Sequence, residues 1–367
     1  MEIPPNTPLH PNPPPLITVS GTHREMGRQI GEATVKQVMH SLENARILLA
    51  AAYEQLELTW EGARIQASKY MPFAQERFPQ YVEELKGIAA GANVAFEDLA
   101  ILNAMEAVTN DALHLDRCTS MAVNGDRTTD GHVLAAHNED WVPEDESDVY
   151  IVHATPDKEP PFLAMTYGGL LPNIGFNANG IAQMCDSVYP SDSRIGVPRI
   201  FVSRSVLAAA SPGKAISQML SPRRAAGYNH MLIHESGELY SVEVSALRFT
   251  MIYGEDGHLV HTNNYLSQSM RTIENEPEDL VNSRIRYFRA LGLLKRTSRH
   301  TIQSLQAIQR DHVNYPDSIC NHSIEAKIPL DDEKTINAMV LDLTTREMHI
   351  AWGSPCINPY HTYRLNA

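Results

Sequence analysis

A chain of 367 residues with 43% hydrophobic composition is long enough for one large compact domain or two small ones, and nothing in its makeup marks a fibre or a disordered chain. Its formal charge of -14, from 44 acidic against 30 basic residues, and its lack of any Lys/Arg cluster exclude the electrostatic footprint by which nucleic acids and anionic membranes are bound. No stretch approaches the roughly 20 uninterrupted apolar residues that span a bilayer.

Residues 1–16 hold seven prolines. Each proline removes a backbone donor and disfavours helix in the residue before it, so a proline-rich extended arm is expected there. The arm lacks the basic start and hydrophobic run of a secretory signal. A soluble, cytoplasmic protein is expected, with an organelle address at either end left open. From Thr22 to about residue 113 the pattern is helical, with Met26, Ile30, Val35, Val38, Leu42, Ile47 and Leu48 recurring every three to five positions. Breaks at 77–79 and 91–93 divide this region into four helices.

After Cys118 the texture changes to strands, predicted over 119–123, 132–137, 149–154, 162–167 and 181–188. Asn124-Gly125 and Asn179-Gly180 read as hairpin turns, and Gly237 and Gly257 punctuate two more strand pairs. Helices return at 200–210, 212–219 and 280–309, the last with Ile285, Tyr287, Phe288, Leu291 and Leu294 on its spaced positions. Strands over 335–343 and 347–352 follow. Helices, antiparallel strands, helices and strands in that order suit an α+β layered domain.

Four cysteines, at 118, 185, 320 and 356, are too scattered for a disulfide framework or a paired-cysteine zinc site. Cys185, Cys320 and Cys356 read as small inert core residues. Sixteen histidines form no His-x-x-x-His motif with a nearby acid, so no metal and no cofactor is expected, and His312 and His322 read as surface or network residues.

Cys118 is different because it lies where the helical region meets the first strand, followed by Thr119 and Ser120. A cysteine whose amide is held in a strained turn can attack the preceding carbonyl, and hydrolysis of the resulting thioester leaves it as a new N-terminus. The freed amine has a reference pKa near 8, so one residue then supplies both nucleophile and base. The bland reading is the first residue of a buried strand. Downstream, His137-Asn138-Glu139-Asp140-Trp141 ends a strand with two acids and an amide. In a hairpin from Cys118, a carboxylate near Asp140 returns to the thiol, and Asn138 becomes a substrate donor. His261-Thr262-Asn263-Asn264 ends another strand with the neutral donors that an oxyanion hole requires, although adjacent asparagines also make ordinary turns. The Tyr167-Gly168-Gly169-Leu170 and Gly175-Phe176-Asn177 segments are candidate pocket walls.

Cys118-Thr119-Ser120, Asn138-Glu139-Asp140 and Thr262-Asn263 resemble the motifs of the acyl-coenzyme A:6-aminopenicillanic acid acyltransferase family of self-processing cysteine enzymes. The likeness extends to residues 21–27, 175–180 and 352–356. It implies a four-layer αββα sandwich of the N-terminal-nucleophile (Ntn) hydrolase type and cleavage between Arg117 and Cys118. Residues 17–117 would then form a helical α-chain and residues 118–367 a β-chain, a heterodimer folded as one domain and open to higher assembly. Cys118 would be nucleophile, Asp140 would position groups and assist processing, and Asn263 would stabilise the oxyanion. Thr119, Ser120, Asn138, Tyr167, Gly168, Phe176 and Asn177 would contact a small N-acyl amide or acyl thioester. The chain departs from the family in having Arg117 where the acyltransferase has Gly, and Asn321 where an Arg often follows the late Cys. Arg310 and Arg199 are candidates for the missing guanidinium. With no acyl-coenzyme A motif, hydrolysis is favoured over transfer. The rival readings are an unprocessed enzyme pairing Cys118 with His137 or His114, and a non-catalytic binding protein.

Overall fold

Thr22 begins the first helix with a reciprocal cap: its hydroxyl accepts from the Glu25 amide, and the Glu25 carboxylate accepts from the Thr22 amide. The structure is a computed structural model that describes residues 8–53, 57–109, 117–275, 277–278, 280–323 and 332–366. His114 lies outside them. Helices α1 (His23–Ala33), α2 (Val35–Ala51), α3 (Trp60–Ser68), α4 (Met71–Arg77), α5 (Pro79–Ala92), α6 (Phe96–Leu102) and α7 (Met105–Thr109) follow. The expected breaks fall at Phe78 and at Asn93, whose φ of 56° is left-handed. The region is cut more finely than four helices, however. At Thr34, for example, the hydroxyl donates back to the Ile30 carbonyl as the backbone leaves the helix.

The described strands form two sheets. In the eight-stranded sheet the order is β1 (Leu16–Gly21), β4 (Val149–Pro156), β5 (Phe162–Tyr167), β6 (Ile174–Asn177), β7 (Ile181–Asp186), β8 (Tyr228–His234), β9 (Leu239–Val244) and β10 (Phe249–Tyr253). In the six-stranded sheet it is β11 (His258–His261), β2 (Arg117–Val123), β3 (Leu134–Trp141), β12 (Lys334–Asp342), β13 (Glu347–Trp352) and β14 (Tyr360–Arg364). The pairings are antiparallel except β1 on β4, where the chain leaving the proline-rich arm runs parallel along the sheet edge. The later helices are α8 (Arg199–Val206), α9 (Pro212–Met219), α10 (Gln268–Arg271), α11 (Val281–Arg296) and α12 (Ile302–Gln309).

Side-chain alternation along the strands builds three apolar layers. Tyr150, Val152 and Phe162 of the larger sheet pack against Met26 and Ile30 of α1 and Leu85 and Ile88 of α5. Ile151, Leu163 and Met165 point the other way and meet Ala135, Met339 and Leu341 of the smaller sheet. Met121, Ala136 and Val340 then face Ala290 and Leu294 of α11 and Leu305 of α12. The result is helix, sheet, sheet, helix: the four-layer αββα sandwich.

Three local expectations are corrected. Asn124-Gly125 starts a longer connection through the short 3-10 turn Gly125–Arg127 rather than a tight hairpin. Gly257 (φ 74°) carries the chain from β10 in one sheet to β11 in the other, so it does not join a strand pair. The helix expected over 280–309 is two helices, broken between Thr297 and the capping Thr301. On α11 the buried face is Ser283, Arg286, Ala290 and Leu294, whereas Phe288 is 69% exposed.

Candidate active site

β2 and β3 pair with Cys118 opposite Glu139 and Arg117 opposite Asp140. Because side chains alternate with a period of two, this register sends Cys118, Ser120, His137 and Glu139 to the space between the sheets. Thr119, Asn138 and Asp140 point to the helix layer. The carboxylate beside the thiol is therefore that of Glu139, with Oε2 3.9 Å from the Cys118 sulfur, and not that of its neighbour Asp140.

Cys118 is 3% exposed and lies at the floor of an open cleft. Leu48, Leu102, Met105, Leu170 and Ile200 give the cleft apolar walls, and Glu139, Ser187, Tyr167, Arg199 and Glu106 give it polar points. The Tyr167 hydroxyl donates to Glu139 Oε1 at 3.3 Å. The Arg199 amide donates to Glu106 at 2.7 Å, and its guanidinium lies 5.0 Å from the centre of the Tyr228 ring.

In the intact chain the Cys118 amide donates to Asn263 Oδ1 at 2.7 Å. Arg286, buried on α11, donates to the Cys118 carbonyl, to Thr119 Oγ1 at 2.9 Å and to Asn263 Oδ1 at 2.9 Å. Asn263 Nδ2 donates to the Ser187 carbonyl at 3.1 Å. The peptide unit on either side of the Cys118 α-carbon is thus held by a neutral amide and a guanidinium. Both Arg117 and Cys118 lie in regular strand, without a positive φ, so the strained turn expected before the thiol is not found among the described residues. The Arg117 side chain reaches outward to Glu333 at 2.9 Å and Asp317 at 3.0 Å.

Asp140 accepts from Thr335 Oγ1 at 2.6 Å. Burial raises its pKa to about 7, against the opposing pull of the Arg286 charge. On the thiol's own face a buried polar chain begins. Glu139 Oε2 meets His137 Nε2 at 2.8 Å, His137 Nδ1 meets Ser120 Oγ at 2.9 Å, and Ser120 donates to Asp186 at 2.7 Å. Asp186 pairs with His261 at 3.2 Å, and His261 with Glu243 at 3.1 Å. Burial works to lower the pKa of both histidines, but the carboxylates outweigh it: His137 is raised, and His261 reaches about 9.

Of the candidates from sequence, Cys118 and Tyr167 line the cleft, and Asn263 touches the Cys118 amide. Thr119 is held by Arg286 and Ser120 by Asp186 and His137, so both hydroxyls are engaged away from the cleft. Asn138 donates to the Gln309 and Ile319 carbonyls at 3.1 and 2.8 Å on the helix side. Gly168 (φ 54°) packs against Ser41. Phe176 is in the inter-sheet core, and Asn177 donates to the Leu207 and Ala209 carbonyls. None of Asn138, Gly168, Phe176 and Asn177 lines the cleft: strand alternation turns Asn138 to the helix side, Asn177 is engaged by the two carbonyls, Phe176 is enclosed in the core, and Gly168 lies against Ser41. Of the two arginines offered for the missing guanidinium, Arg199 reaches the cleft, while Arg310 donates to the Pro355 carbonyl and lies over Tyr360. Arg286 was missed, although its place one and two turns from Ala290 and Leu294 on an apolar face was the available signal.

An αββα sandwich with a cysteine at a cleft floor near the start of a strand is the architecture of the Ntn cysteine amidohydrolases and acyltransferases. The chain belongs to one family of that class: the model of the acyl-coenzyme A:6-aminopenicillanic acid acyl-transferase family matches residues 127–356, a span that begins after Cys118. It is similar to the 40 kDa form of acyl-coenzyme A:6-aminopenicillanic-acid-acyltransferase of Emericella nidulans, 24% identical over 350 residues, which are 95% of this chain and 94% of that one. The β-alanyl-dopamine/carcinine hydrolase of Drosophila melanogaster is 28% identical over 214 residues, 53% of this chain and 54% of that one. Among solved structures, a conjugated bile acid hydrolase from Clostridium perfringens aligns over 68% of this chain and 97% of its own at 13% identity and a TM-score of 0.47. Among the described residues, no helix is long and apolar enough to cross a membrane.

Proposed function

We propose that the chain cuts itself between Arg117 and Cys118, and that the unmasked Cys118 transfers the acyl group of a small N-acyl amide through a thioester, chiefly to water. The reading rests on one observation: a buried thiol at a cleft floor whose own backbone N–H and C=O are gripped by Asn263 and Arg286. In cleavage the Cys118 sulfur attacks the Arg117 carbonyl, the C–N bond breaks, and the thiol proton goes to the departing amine. Water then hydrolyses the thioester, leaving a carboxylate on Arg117 and a free thiol and amine on Cys118. In turnover that amine takes the thiol proton and delivers it to the leaving amine of the substrate. Asn263 takes the oxyanion role once cleavage frees its amide to turn its Nδ2, now on the Ser187 carbonyl, toward the substrate, and Arg286 with Asp140 fixes the strand that carries the thiol. The apolar walls suit an apolar acyl group, with Arg199 and Tyr167 at the polar side.

Intact-mass analysis of purified protein tests this. Two fragments are expected, the second starting at Cys118, together with a single inactive chain for Cys118→Ala. An uncut wild type, with turnover unchanged in Cys118→Ala, overturns the reading. The closeness of Glu139 and His137 to the thiol favours one rival, an unprocessed enzyme in which that pair serves as the thiol's base. It requires full activity from an uncut chain and loss of activity in Glu139→Gln.

A further inference from the structure

Outside the residues that line the cleft, three chain segments bring two thiols and two imidazoles to one point. His312 follows α12, Cys320 and His322 lie in the loop leading to β12, and Cys356 lies in the turn after β13. Their spacing along the sequence shows no paired motif, so the cluster is legible only in the fold. His322 Nε2 lies 3.1 Å from His312 Nε2, 3.5 Å from Cys320 Sγ and 3.7 Å from Cys356 Sγ. All four candidate ligand atoms lie within 4.8 Å of one another. Cys320 and His322 are almost completely buried, and His312 and Cys356 are partly so.

Thiol S–H and imidazole N–H groups can link these atoms in pairs, but His322 Nε2 carries either one proton or one lone pair and so makes one such bond at a time, while three polar atoms lie within 3.7 Å of it. A cation satisfies all of them at once. A tetrahedral zinc ion, with Zn–S of about 2.3 Å and Zn–N of about 2.0–2.1 Å, sets its ligand atoms roughly 3.3–3.8 Å apart. The separations around His322 lie at or just below that range without any movement of the chain.

We propose that His312, Cys320, His322 and Cys356 bind one zinc-class divalent cation in a closed, four-ligand structural site. The backbone around it is already braced, since the Cys320 amide donates to the Asp311 carbonyl at 3.0 Å and the His322 amide to the Pro316 carbonyl at 3.1 Å. Tyr315 covers the two imidazoles with ring centroids 6.4 and 5.3 Å away. With two thiolates and two imidazoles the ion has no open position for substrate, which assigns it to structure rather than to chemistry. What it secures is the loop holding Asn321. The Asn321 amide donates to Thr335 Oγ1 at 2.9 Å, and that hydroxyl donates to Asp140. The Cys118, His137 and Glu139 cluster does not compete as a metal site, because Glu139 and Ser120 already engage both His137 nitrogens.

The test is elemental analysis of the full-length protein, coupled to cobalt substitution. Wild type is expected to carry one zinc per chain, to release it to a chromogenic chelator only on thiol modification or denaturation, and to show thiolate-to-cobalt charge transfer with intense tetrahedral bands when reconstituted with cobalt. The Cys320→Ser/Cys356→Ser pair is expected to lose at least nine-tenths of the metal, whereas Cys118→Ala and Cys185→Ser keep it all. If the double variant fails to fold, the last two still decide: retention of metal and spectrum in both supports the site, and loss in either overturns it. Metal-free wild type that takes up no cobalt, or a disulfide between Cys320 and Cys356, also overturns it.

Discussion

Arg286 is a single side chain that serves four residues: it donates to the Cys118 carbonyl, to Thr119 and to Asn263, and its charge opposes the desolvation of Asp140. Removing one partner of a buried charged set leaves the other uncompensated, at a cost of roughly 3–5 kcal/mol. Arg286→Ala is therefore expected to lower the unfolding free energy by up to that amount, read as a fall in the urea midpoint at unchanged m-value. Arg286→Lys keeps the charge but loses the planar fork. A lost hydrogen bond to a charged group costs about 1.5–3 kcal/mol, so self-cleavage and turnover should slow roughly 10- to 150-fold, with less effect on folding. Single-turnover rates against urea titrations separate the two. His261 makes a pH prediction. Its pKa is about 9 in the fold against 6.5 ordinarily, so the folded state holds the proton more tightly. That contribution is complete below about pH 6.5 and drains away as pH rises through 9, with a ceiling near 3 kcal/mol at ~1.4 kcal/mol per pKa unit. Urea midpoints measured from pH 6 to 9 should fall in wild type and stay flatter in His261→Gln.

Among the elements, the α1–α5 contact depends on the absence of side chains. A Cβ on Gly27, Gly31, Gly87 or Gly91 would overlap the carbonyl oxygen of Glu84, Ile88, Arg24 or Arg28 respectively, so the two helix backbones touch directly. Overpacking a fitted contact typically costs about 1–3 kcal/mol, and here rigid backbone rather than a side chain must give way. Gly31→Ala should sit at or above the upper end, read as a fall in melting temperature, while Gly292→Ala, which meets nothing within 4 Å, should not lower it. This contact also marks what the sequence could convey. The strand over 347–352 and the helix over 212–219 stand where local pattern puts them because one more deeply buried face fixes the period, and the strand over 162–167, buried on both faces, shows as a short apolar run. The face of α11 was misread because Ile285 and Phe288 look like core and are partly or largely exposed, while the buried stripe contains an arginine. Glu139 and Asp140 are adjacent, and only the register against Cys118 decides which one faces the thiol. The four residues His312, Cys320, His322 and Cys356 meet through tertiary folding alone.

At the scale of the molecule, the proposed cut would fall within a continuous core. Met26, Ile30, Leu85 and Ile88 before it share one apolar cluster with Tyr150, Val152, Phe162 and Phe201 after it. Cleavage should leave one particle: a single native mass equal to the intact chain plus one water, resolving into two bands only on denaturation. Separation of the fragments in native buffer would contradict this. The parallel pairing of β1 with β4 has a further bearing on assembly. The leading segment supplies the outermost ribbon of the larger sheet, so a polypeptide made without it would bare a row of unmet amides and carbonyls along β4 beside an uncovered greasy surface. Production of residues 118–367 alone should yield aggregates, and supplying the missing portion as a separate polypeptide during refolding should rescue soluble material.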